Sequence, residues 1–189
     1  MNVYGFDSTI YDGEVIIDFL MFCVKKDISL TKYIPIATRT VTLYKMNKLP
    51  IEKVYELIEQ MTSKVIKNRK QANSLVKEFW LHHKHKLNKY FLDRINSDDV
   101  IITASPRILT SGISNELKTN NIICSELNLE TGKFDFLCFG ENKLIAFKER
   151  YPNATIDEFY TVSMSDSSLI EISNKAFLVK KKTPPKRIK

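Results

Sequence analysis

The chain alternates between short, continuously apolar runs that end in small polar residues and longer segments with apolar positions at helical spacing. "NVYGF" reads as a short buried strand. "EVIIDFLMFCVKK" is apolar on most faces and predicts a largely buried helix. "KLPIEKVYELIEQMTSKVIKNRK" places Pro50 near a helix start and then Val54, Leu57, Ile58, Met61 and Val65 on one face. "ANSLVKEFWLHHKHKLNKYFLDRI" continues with Leu75, Phe79, Leu87, Tyr90 and Phe91, so residues 14–96 are expected to be nearly all helical. A second buried strand follows at Val100 to Ile102, then a helix around Leu109 to Thr119. "NNIICSELNLETGKFDFLCFGENK" contains short strands and a Thr-Gly turn. "NKLIAFKERYP" reads as an amphipathic helix that stops before Pro152. "EFYTVSMSDSS" is a strand with a polar end, and "SLIEISNKAFLV" a helix leading into a final strand.

Strands alternating with helices indicate an α/β fold with a parallel sheet. Asp7, Thr9, Thr103, Ser105, Ser163, Ser165 and Asp166 all follow strands. Ligands of open parallel sheets bind beyond the carboxyl ends of the strands, so three such ends carrying hydroxyls and carboxylates point to one site. The helical block between the first two strands would stand over it as a cap.

Charge adds little to this picture. The formal net charge is +7. The segment "KKKTPPKRIK" holds six cations, Lys180, Lys181, Lys182, Lys186, Arg187 and Lys189, and no acid, which leaves +1 for residues 1–179. The tail reads as a solvated, frayed terminus, its functional alternative being weak attraction to phosphate-rich surfaces. Nucleic-acid binding is disfavoured because the body lacks a basic stripe interleaved with aromatics. Cys23, Cys124 and Cys138 show no metal spacing and predict reduced, buried thiols in a cytoplasmic protein. No signal peptide is evident, and "VIIDFLMFCV" is too short to span a bilayer and contains Asp18. His82 and His85 share a helical face, but no carboxylate or cysteine nearby completes a metal set; Phe79 and Trp80 read as packing.

The stretches "VYGFDSTIYDG", "DDVIITASPRIL", "CSELNLETGKF", "GENKLIAFKERYP" and "DEFYTVSMSDSSLIE", in that order and spacing, resemble the haloacid-dehalogenase (HAD) superfamily of phosphatases, in particular its phosphoserine-phosphatase-like subfamily. The resemblance covers nearly the whole chain. It implies a Rossmann-like parallel-sheet core of residues 1–13 and 97–180, an inserted all-helical cap of residues 14–96, and a basic tail of residues 181–189. The family's first motif is Asp-x-Asp-x-Thr, in which the first Asp forms a phosphoaspartate and the second serves as acid and base. The resemblance implies that Asp7 matches that acid/base and Thr9 the motif threonine. Thr103, with Ser105 nearby, matches the phosphate-binding hydroxyl, and Lys143 the phosphate-binding lysine. Mg²⁺ is the implied cofactor, held by the nucleophile, the backbone of Asp7 and a pair of strand-end acids, of which Asp166 matches the second.

Two departures stand out. Gly5 occupies the nucleophile position and Val162 that of the first strand-end acid, so Mg²⁺ binding should be weakened. Two readings follow from the resemblance. One is a catalytically impaired pseudophosphatase that keeps a phosphate pocket for a phosphorylated small molecule, phosphate or a protein partner. The other is an active Mg²⁺-dependent phosphomonoester hydrolase in which Asp7 activates water or Asp12 intrudes. Each residue also has a local reading. Asp7 could bind backbone N–H groups in its loop, Thr103 and Ser105 could cap the helix after them, Lys143 could be solvated, and Asp166 could cap the helix near Ser168.

Overall fold

A computed structural model describes residues 1–66, 68–181 and 183–189; of Lys45 it describes the backbone alone. In chain order the elements are β1 (Val3–Gly5), α1 (Val15–Lys26), α2 (Tyr33–Lys45), α3 (Ile51–Val65), α4 (Arg69–His83), α5 (Lys89–Leu92), β2 (Val100–Pro106), α6 (Arg107–Ser111), β3 (Ile122–Leu127), β4 (Phe134–Phe136), α7 (Glu141–Arg150), β5 (Ile156–Thr161), α8 (Ser167–Ile172), β6 (Ser173–Lys180) and β7 (Thr183–Arg187). Short 3-10 turns at Ile28–Lys32, Lys84–Lys86 and Met164–Asp166 complete the path.

The strands form one seven-stranded sheet in the order β4-β3-β2-β1-β5-β6-β7. The five inner strands are parallel, and β4 and β7 close the two edges antiparallel. β1 therefore lies in the middle, hydrogen-bonded to β2 on one side and β5 on the other. The sheet order reverses at β1, and that reversal is where a parallel sheet opens a crevice beyond its strand ends. The expected α/β class with a parallel-sheet core is the observed one.

Among the described residues, five α-helices separate β1 from β2 in the chain. α3 buries Val54, Leu57, Ile58, Met61 and Val65, the face the spacing predicts. α4 starts where the Asn68 side chain accepts a hydrogen bond from the Gln71 N–H at 2.9 Å, an ordinary N-cap. Trp80, in the last turn of α4, is buried and donates its indole N–H to the Leu109 carbonyl at 2.9 Å. A Cβ on Gly112 would fall 2.7 Å from Trp80 Cδ1 and from Val76 Cγ1, so α4 rests on bare backbone just beyond α6. Phe79 and Trp80 are core packing, as read from the sequence.

Three expectations need correction. The second strand runs on through Thr103 to Pro106, because β3 pairs with it as far as Pro106 opposite Ser125. The helix expected around Leu109 to Thr119 is only α6, and turns follow it. Gly112 is the C-cap of α6, and its N–H bonds the Thr110 carbonyl. The tail is not frayed: residues 183–187 pair with β6 through Lys180 opposite Thr183 and Phe177 opposite Arg187. Pro184, Pro185, Lys186 and Arg187 suit an outermost strand, whose free edge prolines and charges protect from further pairing. Lys182 lies outside the described residues.

The three cysteines are buried free thiols, as expected. Burial pushes the thiols of Cys23 and Cys138 up to about 12 and that of Cys124 up to about 11. At pH 8 the native protein is expected to react with a thiol-selective disulfide reagent far more slowly than the urea-unfolded chain, which absorbance reads directly. Trp80→Ala is expected to cost about 3–5 kcal/mol in urea unfolding, as for other large-to-small changes in cores, and Trp80→Phe measurably less.

Candidate functional site

The carboxyl ends of β1, β2 and β5 converge on a cavity of about 400 Å³. Gly5, Asp7, Thr9, Thr103, Ser105, Lys143, Val162, Ser163, Ser165 and Asp166 border it. The structure thus brings together the residues that the resemblance assigns to the site, but not Asp12. Its walls come from α1, α2, α3, β4 and Phe139.

Asp7 is the hub of the floor. One oxygen, Oδ1, accepts the N–H of Val15, the first residue of α1, at 2.8 Å. The other, Oδ2, accepts the Thr103 hydroxyl at 2.7 Å, and the Ser105 hydroxyl lies 3.2 and 3.0 Å from Oδ1 and Oδ2. The backbone-binding reading of Asp7 is therefore correct as far as it goes. Burial holds its carboxyl above the ordinary range, against the pull of these donors and of Lys143. Thr103 and Ser105 do not cap α6: Pro106 occupies that N-cap, and their hydroxyls turn to Asp7.

A second cluster sits at the end of β5. Lys143, in the first turn of α7, pairs with Asp166 Oδ1 at 2.7 Å, and the two side chains are only 12% and 7% exposed. The Thr161 hydroxyl donates to Asp166 Oδ2 at 2.6 Å. Lys143 is therefore a half-buried ion-pair partner and not a solvated lysine. Asp166 stands at the N-cap of α8 but its side chain makes no capping bond there, since both oxygens are engaged. Thr161 was not singled out from the sequence. Its signal is its place as the last residue of a buried strand, which aims its hydroxyl at whatever follows.

Gly5 leaves a gap at the centre. A Cβ built there would lie 3.3 Å from the Tyr160 carbonyl and 3.4 Å from Thr9 Oγ1, tight but open to a side chain after a small shift. Thr9 is 1% exposed, and its hydroxyl has no hydrogen-bond partner. An orphaned buried hydroxyl is costly, and this one faces the space where residue 5 has no side chain. Val162 is 39% exposed at the mouth of the cavity and offers no oxygen.

These residues do not fit Mg²⁺. A hard cation needs about six oxygen ligands, and Mg²⁺ is bound through one or two carboxylates with waters. Gly5 and Val162 supply none, and all four oxygens of Asp7 and Asp166 already accept hydrogen bonds or an ion pair. No group of three potential metal-ligating side chains occurs among the described residues, His82 and His85 included. His83 instead stacks on Phe79 at 4.2 Å between ring centroids.

A larger groove of about 1090 Å³ lies against the same loop, lined by Asp12, His85, Lys86, Tyr90, Lys180 and Lys181 among others. Its cations are partly spent: Lys181 pairs with Asp12 at 3.0 Å and Lys86 with Asp18. Thr9 and Val162 border both cavities, whereas Asp12 borders only the groove. No helix of the described residues is long and apolar enough to cross a membrane.

Comparison with known proteins agrees with this architecture. Curated sequences give no significant match. A solved protein of unknown function from Bordetella pertussis Tohama I superposes with a TM-score of 0.79 at 13% identity, covering 94% of this chain and 88% of that one. A phosphoserine phosphohydrolase-like protein from Francisella tularensis subsp. tularensis SCHU S4 gives 0.64 at 18% identity, covering 94% and 86%. A structure of phosphoserine phosphatase as a phospho-aspartyl intermediate analogue gives 0.54 at 13% identity, covering 93% and 84%. At these identities the likeness speaks to the fold. The model of the haloacid dehalogenase-like hydrolases matches residues 3–169, and the chain belongs to that family.

Proposed function

We propose that this chain is a pseudophosphatase: a HAD-fold protein that holds a phosphorylated ligand in the strand-end cavity without forming a phosphoenzyme. The observation that carries the reading is Gly5. It ends β1 at the floor of the cavity, beside Asp7, where the family's covalent route needs a carboxylate. A glycine has nothing to attack phosphorus with. Losing an essential member of a catalytic set costs about 10⁴–10⁶ in rate.

Neither substitute for the missing group has support. Both oxygens of Asp7 are committed to Val15, Thr103 and Ser105, which turn the carboxylate toward the start of α1. Asp12 faces the other groove and Lys181. The phosphate-binding half of the family's equipment persists: Thr103, Ser105, Lys143 and the free hydroxyl of Thr9 border one cavity. Phosphoserine phosphatase, a structural neighbour, acts on a phosphomonoester by name, and we carry over only the phosphate part of that specificity. Residues 14–96 act as the cap over this pocket and residues 1–13 with 97–180 as its base. Buried, unpaired thiols accord with a cytoplasmic protein.

Two outcomes are expected. Millimolar Mg²⁺ shifts the thermal unfolding midpoint of the wild-type chain no more than Ca²⁺ or added salt does. The double variant Gly5→Asp, Val162→Asp is expected to show a Mg²⁺-specific rise and to release phosphate from a phosphomonoester panel at least about 10³-fold faster than wild type, the scale on which such groups act. Metal-dependent turnover by the wild-type chain would overturn the reading.

A further inference from the structure

The walls of the cavity say more about its ligand than the floor does. Above the polar strand ends stand Tyr44, Val54, Tyr55, Ile58, Phe134 and Phe139. Tyr55 meets Phe134 and Phe139 edge-on, with ring centroids 5.6 and 6.0 Å apart, so the aromatic wall is preassembled. Tyr55 itself is held by α3, and the Phe134 N–H is tied to Glu59 of the same helix at 2.9 Å. The wall therefore belongs to a fixed contact between α3 and the β4 hairpin.

The charges of the cavity are equally selective. Lys143 is the single cation among the described residues that border it, and it is already paired with Asp166. Asp7 and Glu14 border it as well. With Lys143 shared between Asp166 and the ligand's phosphate, a ligand carboxylate in this space would find no cation of its own and would face acidic neighbours. Stranding a charge in that way is costly. The volume is ample: an apolar cavity of about 150 Å³ accepts benzene, and this one measures about 400 Å³.

We infer that the pocket selects a phosphomonoester whose body is apolar, ring-sized and free of carboxylate, in place of an amino-acid phosphate. This inference rests on the phosphate reading above. The phosphate group occupies the floor near Thr9, Thr103 and Lys143, and the ring lies against Tyr55, Phe134 and Phe139. No bond is made or broken.

The test is isothermal titration of the full-length wild-type chain with phenyl phosphate, O-phosphoserine and inorganic phosphate, each with EDTA present. Phenyl phosphate is expected to bind at least about tenfold more tightly than either other ligand, since it alone buries a ring without stranding a carboxylate. Tyr44→Arg, which adds a cation to the wall at a partly exposed position, is expected to improve phosphoserine binding about tenfold by giving its carboxylate a partner. Binding of inorganic phosphate or phosphoserine as tight as that of phenyl phosphate would overturn the inference and leave the phosphate reading standing. Absence of heat with all three, on protein whose circular dichroism is native, would overturn both.

Discussion

One carboxylate joins the two halves of this molecule. Asp7 follows β1, the central strand, and accepts hydrogen bonds from the first N–H of α1 and from hydroxyls at the end of β2. The helix that begins the long insertion is thereby anchored to the strand that resumes the sheet after it. Hydrogen bonds to a charged group are worth about 1.5–3 kcal/mol each when buried. Desolvation of the same carboxyl works against them and holds its proton affinity above the ordinary range. The residue that resembles a catalytic acid/base is thus also a structural clasp.

The same economy applies at the end of β5. Lys143 and Asp166 satisfy one another in a site where either alone would be a buried charge without a partner. Thr161 completes the acceptor set. The ion pair neutralises itself without any further ion. The Thr9 hydroxyl is left unmet, and it lies at the gap that Gly5 makes. Gly5 and Val162 bring no carboxylate to this floor, while the groups around them are closed by hydrogen bonds.

Much of this was legible in the chain before any coordinates. Strand ends carrying Asp7, Thr103, Ser105 and Asp166 announced a site because short apolar runs that stop at polar residues have few other uses in a parallel sheet. Tyr55, Phe134 and Phe139 were not legible as one wall. They lie on a helix and, some eighty residues later, on a strand and the loop after it, and each reads locally as an amphipathic or turn-flanking aromatic. Thr161 was hidden for a different reason: a threonine at a strand end is also a good β-former. The tail misled because prolines and like charges signal disorder in isolation, yet an edge strand tolerates both.

Periodicity and order along the chain determined the α/β class, the long helical insertion and the absence of side-chain oxygens at Gly5 and Val162, because these depend on residue type and spacing alone. Tertiary structure decided which donors each carboxylate receives, since Val15, Thr103 and Ser105 meet Asp7 only when α1 and β2 close around β1. It also decided that the tail completes the sheet and that Lys143 is spent on Asp166. Hydrogen bonds and ion pairs act over a few ångströms. Their partners are set by where the backbone brings distant residues together, which no local pattern in the chain records.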